Sequence, residues 1–134
     1  MAAPEIPVVC VIGDGGLYMT PLGCLETARV HASKHSKSSL TVLVLENQAY
    51  GMIEYGAKYI YKVPDILSKL EFGSYSTEKF SRFQGTAQSF GFTTRKVTAA
   101  RDLGKILSTC VNTPGLHLVE CPLDYTEADK ILAS

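Results

Sequence analysis

Two short, almost uninterrupted apolar runs constrain the fold of this chain more than any other feature of its sequence. They occupy residues 8–12 and 41–45, and each has the length of one β-strand. An apolar run without polar alternation is typical of a strand that is covered on both faces, as in a parallel sheet. Two further strands are predicted at 93–97 and 116–121.

Helical patterns fill the stretches between these strands. Thr20 and Pro21 have the residue types of a helix N-cap and a first helical position. A second helix is predicted to begin near residue 77 and to end at Gly91, and a third follows Thr98. Strands that alternate with helices predict an α/β fold of three layers, with a mostly parallel sheet and helices on both faces.

Length and composition exclude several classes of function. A chain of 134 residues is expected to form one domain, and its zero net charge argues against nucleic acid or a membrane surface as a partner. No apolar run is long enough to span a bilayer, and the start of the chain lacks a secretion signal. The four cysteines form no C-x-x-C pair, so we expect no zinc site and a reducing, cytoplasmic location.

Three glycines and one aspartate follow the first apolar run directly, as Gly13, Asp14, Gly15 and Gly16. Ligands bind at the carboxyl ends of the strands in open α/β sheets. Glycines let the backbone approach a phosphate closely, and a single carboxylate beside phosphate oxygens requires a cation such as Mg²⁺ between them. The alternative is a tight turn in which Asp14 only caps. In both cases the next helix is expected to begin a few residues later.

A second polar residue, Asn47, follows the apolar run at 41–45 and is therefore expected at the same edge of the sheet as Asp14. If the two strands are neighbours, a carboxylate, an amide oxygen and a loop carbonyl can converge on one cation. These are hard oxygen ligands, which suit Mg²⁺ or Ca²⁺ better than zinc.

The order of a Gly-Asp-Gly turn, a helix and an apolar strand that ends in asparagine resembles the cofactor motif of the enzymes that depend on thiamine diphosphate (TPP). Residues 47–55 and 119–125 are similar to the C-terminal domain of acetolactate synthase, in particular the catabolic, FAD-independent type. The resemblance covers most of the chain. It implies that Asp14, Asn47 and the backbone carbonyl of Ala49 bind Mg²⁺. The implied cofactor-binding residues are Gly13, Asp14, Gly15, Gly16, Asn47, Ala49, Tyr50, Gly51 and Met52.

The resemblance also implies a reaction and a partner. An acetolactate-synthase-like enzyme decarboxylates a 2-oxo acid and transfers the two-carbon unit to a second 2-oxo acid. A pyrimidine-binding domain or subunit supplies the catalytic glutamate of such enzymes, so no catalytic residue is expected within this chain, and the full enzyme is expected to be a homo-oligomer. The alternatives are a decarboxylase subunit of the sulfopyruvate or phosphonopyruvate type and a non-catalytic interaction module with the same fold.

Two features depart from the family pattern. Residues 1–134 resemble a single, partial diphosphate-binding domain, without the strand and helix that normally precede the Gly-Asp-Gly strand, and we therefore expect an exposed apolar surface. Asn47 lies 33 positions after Asp14, several more than is usual, and the excess falls at residues 31–39. We expect this polar stretch, with His31 and His35, to form a solvated surface loop.

Overall fold

The computed structural model describes residues 5–48, 50–62 and 82–123. Within these ranges four strands form one sheet in the order β1-β2-β4-β3, and every pair of neighbours is parallel. The strands are β1 (Val8–Gly13), β2 (Ser39–Glu46), β3 (Thr93–Lys96) and β4 (Gly115–Pro122). The predicted parallel sheet is confirmed.

Five α-helices accompany the sheet in the described part of the chain. They are α1 (Asp14–Met19), α2 (Leu22–Lys34), α3 (Gly51–Tyr55), α4 (Arg82–Ser89) and α5 (Leu103–Val111). A π-helical turn at Gly56–Ile60 continues α3, and a 3₁₀ turn at Ala100–Asp102 precedes α5. The predicted start of the second helix near residue 77 lies outside the described residues. None of the described helices has the length and apolar character that a membrane crossing requires.

Helices cover both faces of the sheet, as predicted. Alternate residues of β2 enter two separate cores, because side chains alternate across a strand. Val44 packs with Phe83 and Ala87 of α4, and residues of α2 also pack against this core. On the other face Leu43 packs with Cys110 of α5, and further apolar residues of α5 pack against this second core. The result is the predicted three-layer arrangement.

The prediction that both apolar strands are covered on both faces is wrong for β1. Val44 of β2 is 0% exposed, whereas Val11 of β1 is 59% exposed and Val8 and Val9 are also exposed. The reason is position: among the described strands β1 ends the order and has one neighbour, β2, while β2 lies between β1 and β4. An apolar sequence shows what a strand can bury, but it does not show where the strand lies in the sheet.

The predicted cap of α2 is also wrong. The helix begins at Leu22, and Pro21 is its N-cap in an extended conformation without a side-chain cap hydrogen bond. The hydroxyl of Thr20 donates instead to the carbonyl oxygen of Gly16 at 2.9 Å. Thr20 therefore contributes to the end of α1, a helix that the sequence did not predict.

The stretch 31–39 is not a solvated loop along its whole length, which corrects that prediction. Its first four residues form the last turn of α2, and β2 begins at Ser39. Ser38 and Ser39 are buried. The hydroxyl of Ser39 donates to the carbonyl oxygen of Cys110 at 3.0 Å, and a buried hydroxyl is stable in the core when it has such a partner.

Candidate functional site

Asp14 is the first residue of α1 and follows the last residue of β1 directly. The helix thus begins at the aspartate itself and not a few residues later, as was predicted. Gly13 is the extended N-cap of the helix. The Asp14 carboxylate accepts a hydrogen bond from the N–H of Gly15 at 2.8 Å. A carboxylate near a helix N-terminus is favourable, which helps a segment with two glycines to become helical.

The carboxylate of Asp14 also reaches the end of the neighbouring strand. Its Oδ2 accepts hydrogen bonds from the backbone N–H groups of Asn47 at 3.1 Å and Gln48 at 2.6 Å. Asp14 is only 2% exposed, so these charge-assisted bonds are partly shielded from solvent. Gln48 has a φ of 59°, in the left-handed region that non-glycine residues rarely occupy. The hydrogen bond to Asp14 supports this backbone conformation.

The parallel register explains why the two residues meet. Gly13 lies opposite Leu45, so β1 and β2 end at the same level of the sheet. Asp14 and Asn47 each follow at the carboxyl end of their strand, where ligands bind in open α/β sheets. The structure therefore brings together, at one cavity, the two residues that the sequence singled out at this edge. Their role as ligands stays a prediction.

A cavity of about 300 Å³ opens beside Asp14. Eight of the nine residues predicted to bind a cofactor line it, and the ninth, Ala49, lies outside the described residues. The eight are Gly13, Asp14, Gly15, Gly16, Asn47, Tyr50, Gly51 and Met52. The cavity is also lined by four apolar residues that the sequence did not indicate. These are Met19, Leu45, Ile53 and Leu123.

One of the missed residues, Met19, could have been predicted if the start of α1 had been placed correctly. A helix that begins at Asp14 places Met19 three and four positions after Gly16 and Gly15, on the same face. Leu123 comes to the site through the sheet, because its N–H donates to the carbonyl oxygen of Glu46 at 2.8 Å. That contact joins distant parts of the chain, and no local pattern predicts it.

The glycines of the site differ in the space around them. A Cβ added to Gly16 would lie 3.1 Å from Cγ1 of Ile12, so α1 packs closely on β1 at this point. A Cβ on Gly13 would meet nothing within 4 Å. Gly16 is therefore needed for the close packing of helix on strand, while the space beside Gly13 remains open.

Negative charge accumulates around this edge of the sheet. The pKa of Glu46 is raised, first by burial and then by the nearby carboxylates of Glu120 and Asp14, whereas Lys96 opposes the shift. The Lys96 ammonium lies 4.0 Å from the Glu46 carboxylate. A bound cation would lower the repulsion among these carboxylates.

Glu120 is a buried acid that the sequence analysis missed. Its side chain is 0% exposed, and one carboxylate oxygen accepts a hydrogen bond from the Gln84 amide at 2.9 Å. Within the described part of the chain, the other carboxylate oxygen has no hydrogen-bond partner. Glu120 does not line the cavity beside Asp14, so it contributes charge to this region and no direct contact.

The metal-binding capacity of the cavity is limited. No three His, Cys, Asp or Glu side chains in the described ranges are grouped so that they could hold a metal ion. The cavity offers one carboxylate and one side-chain amide, from Asp14 and Asn47. This donor set fits a hard cation that takes its remaining oxygens from phosphate and water, as Mg²⁺ does.

Comparison with known proteins agrees with the resemblance found in the sequence. Residues 1–121 match the sequence profile of the family described as "Thiamine pyrophosphate enzyme, C-terminal TPP binding domain". An acetolactate synthase from Bacillus subtilis (strain 168) is 27% identical over 127 residues, which cover 95% of this chain and 20% of that protein.

Solved structures share the fold. A benzoylformate decarboxylase from Polynucleobacter necessarius superposes with a TM-score of 0.72 at 16% identity, over 91% of this chain and 20% of that one. A TPP-dependent 4-hydroxybenzoylformate decarboxylase from Rhodococcus jostii RHA1 gives 0.70 at 19% identity, over 93% and 21%. The chain thus spans about a fifth of the length of each of these proteins. It belongs to the family of C-terminal TPP-binding domains of the thiamine pyrophosphate enzymes.

Proposed function

We propose that this chain binds Mg²⁺ and the diphosphate of TPP as part of an acetolactate-synthase-like enzyme. The enzyme would decarboxylate a 2-oxo acid such as pyruvate and transfer the two-carbon unit to a second 2-oxo acid. One observation carries the proposal: the buried Asp14 carboxylate is joined to the backbone of Asn47 at the wall of a cavity at the carboxyl ends of two parallel strands.

The metal would be held by the side chains of Asp14 and Asn47 and by the backbone carbonyl of Ala49. Mg²⁺ binds through one or two carboxylates together with substrate phosphates and water, and it needs no cage of protein ligands. One carboxylate and one amide meet that requirement. The charge of Mg²⁺ would be balanced by Asp14 and the diphosphate, and it would lower the repulsion that raises the pKa of Glu46.

The size of the cavity supports binding of one end of the cofactor. Small-molecule sites usually enclose about 300–1,000 Å³, so a cavity of about 300 Å³ is at the lower limit of that range. Gly13, Gly15 and Gly16 would lie along the diphosphate. Tyr50, Gly51 and Met52 would line the cofactor beyond the metal, and Met52 is 84% exposed at the outer rim.

The remaining part of the cofactor site would come from a pyrimidine-binding domain or subunit. When bound, TPP supplies a nucleophilic carbon that adds to the carbonyl of a 2-oxo acid and accepts the electron pair released on decarboxylation. Forming that carbon needs a positioned acid–base group. Glu26 is paired with Arg29 on α2, and Glu46 lies beside Lys96. Because each of these two glutamates is already beside a cationic side chain, we propose that the acid–base group comes from the second domain or subunit.

The residues of this chain would therefore bind and orient the cofactor. Contacts to the diphosphate do not change between the ground state and the transition state, so they contribute to affinity and little to the rate of the chemical step. We further propose that the full enzyme is a homo-oligomer that works in the cytoplasm.

A TPP-dependent decarboxylase of the sulfopyruvate or phosphonopyruvate type is the second candidate. Both fold relatives are described as decarboxylases, at identities that establish shared fold alone. The acetolactate synthase match, at higher identity and over 95% of the chain, favours the first candidate. A non-catalytic binding or interaction module with the same fold is the third candidate; it would have no chemistry of its own, and a lack of TPP binding would favour it.

Product analysis separates these candidates. Alone, the chain should not turn over pyruvate with Mg²⁺ and TPP. A chimera in which this chain replaces the matching segment of the Bacillus subtilis acetolactate synthase should form acetolactate. Aldehyde without acetolactate would favour the decarboxylase, and a folded chimera that binds no TPP would favour the module. Sustained turnover by the chain alone would contradict the need for a second domain.

A further inference from the structure

Two histidines meet at the end of the sheet opposite the cofactor cavity. His31 lies in the last turn of α2, and His35 is the C-cap of that helix. Their ring centroids are 4.5 Å apart with the planes inclined at 45°. The turn that follows leads into Ser39, the first residue of β2, whereas Asn47 follows its last residue. Eight strand residues, about 25 Å, therefore separate the histidine pair from the Asp14 cavity.

The imidazole of His31 has an unused nitrogen. Its Nε2 atom is buried and has no hydrogen-bond partner among the residues that the structure describes. A buried polar atom without a partner costs free energy, which a bound ligand would recover. His31 also lines a cavity of about 380 Å³ together with Cys24, Thr27 and Ser38. His31 therefore borders open space large enough for a hydrated ion, although its Nε2 atom is closed to solvent and His35 does not line that cavity. Both side chains would turn to bring their nitrogens to one ion.

We propose that His31 and His35 form a two-imidazole binding site for a divalent transition-metal ion of the Ni²⁺, Cu²⁺ and Zn²⁺ class. His35 directly follows the last helical residue, so it lies near the position that shares a helix face with His31, four residues earlier. Imidazole nitrogen binds such metals at about 2.0–2.1 Å, which places the metal about 3.2 Å from each ring centroid. Two ligands at a right angle, as in the square-planar coordination of Cu²⁺ and Ni²⁺, would then have centroids about 4.5 Å apart, whereas the tetrahedral angle of Zn²⁺ would separate them further. The observed separation agrees with this geometry.

Neutral imidazole is the form of histidine that binds a metal, so the affinity of this site should fall as the pH is lowered. The described residues contain no group of three His, Cys, Asp or Glu side chains at one metal position, so water would complete the coordination. The site is distinct from the Asp14 cavity, whose oxygen donors prefer Mg²⁺.

The test is titration of the full chain with Ni²⁺, which does not oxidise thiols. Cys10 and Cys24 are exposed, so the titration is run in a Cys10→Ser/Cys24→Ser background. We expect one Ni²⁺ per chain, with Cu²⁺ bound more tightly and no competition from Mg²⁺. His31→Ala and His35→Ala should each weaken Ni²⁺ binding by about tenfold or more, because each removes one of the two protein ligands.

Lys37→Ala is the matched control, because Lys37 is an exposed neighbour of His35 and is not a proposed metal ligand. This variant should leave the Ni²⁺ affinity unchanged. Circular dichroism establishes that each variant is folded, and His35→Ala alone decides if His31→Ala does not fold. Unchanged Ni²⁺ affinity in a folded histidine variant would overturn the proposal. So would loss of binding when the two exposed cysteines are replaced, because the thiols would then be the ligands.

Discussion

The two strands that deliver the site residues have similar sequences and very different surroundings. β1 and β2 are both apolar and run side by side in parallel. β2 is buried along most of its length, and Val44 is 0% exposed. β1 is exposed along most of its length, and Val11 is 59% exposed. The difference comes from position, since β2 lies between two strands and β1 ends the sheet.

This difference separates two roles. β2 belongs to both cores and therefore stabilises the fold, whereas β1 leads directly into Asp14, the proposed metal ligand, and contributes an apolar edge. The Asp14 carboxylate connects the two strands. Asp14 directly follows β1, and its carboxylate accepts hydrogen bonds from the backbone N–H groups of Asn47 and Gln48, which follow β2. An exposed apolar edge strand is a typical surface for packing against another chain or domain. The site is thus built at the junction of the stable and the open part of the sheet.

The largest effect on stability is expected at that junction. Asp14→Ala removes the acceptor for three backbone N–H groups, those of Gly15, Asn47 and Gln48. We expect a loss of about 3 kcal/mol in the free energy of unfolding, measured by urea denaturation. Asp14→Asn keeps one acceptor oxygen and should lose less. If Asp14→Ala is as stable as the wild type, the carboxylate does not hold the two strand ends together.

A pair of valine substitutions tests the contrast between the strands themselves. Val44→Ala removes methyl groups from a core position and should cost about 2 kcal/mol. Val11→Ala changes an exposed side chain and should cost less than about 0.5 kcal/mol. Chemical denaturation of both variants gives the comparison. Equal losses would show that β1 is as well covered in solution as β2.

The exposed edge should also be visible in self-association. We expect the purified chain to self-associate through β1, and Val11→Lys to weaken association by about tenfold, or about 1.4 kcal/mol, through charge on the edge. Sedimentation equilibrium measures the effect. Val30→Lys, at an exposed valine of α2, is the control and should not change association. A wild-type chain that is monomeric at high concentration would contradict this prediction.

The smallest expected effect concerns the packing of α1 on β1. Gly23→Ala in α2 has open space and should stabilise the chain by about 0.5–1 kcal/mol through helix propensity. Gly16→Ala should stabilise the chain by about 0.5 kcal/mol less than Gly23→Ala, because the added Cβ would lie 3.1 Å from the Ile12 side chain. Thermal denaturation compares the two variants. An equal gain at both positions would mean that α1 has room to move away from β1.

The sequence predicted the parallel sheet and the meeting of Asp14 with Asn47, because apolar runs mark buried strands and parallel strands end at one edge. It predicted an exposed apolar surface but did not assign that surface to β1, since strand order depends on contacts between distant segments. It missed the start of α1, because glycines disfavour a helix and the hydrogen bond from Gly15 to Asp14 is not visible in a pattern. It placed Ser39 in a loop, although its hydroxyl is satisfied by Cys110, 71 positions away.

The central claim is that Asp14 and Asn47 hold TPP through Mg²⁺. Calorimetric titration of the chain with TPP, in Mg²⁺ and in EDTA, tests it most directly. Asp14→Asn removes the negative charge and keeps one side-chain oxygen. Asn47→Ala removes the side-chain amide and keeps the backbone N–H that donates a hydrogen bond to Asp14. We predict weak TPP binding that requires Mg²⁺. The TPP affinity should fall by about tenfold or more in both variants. It should be unchanged in Lys37→Ala. Binding of equal strength in EDTA, or in both site variants, would contradict the account.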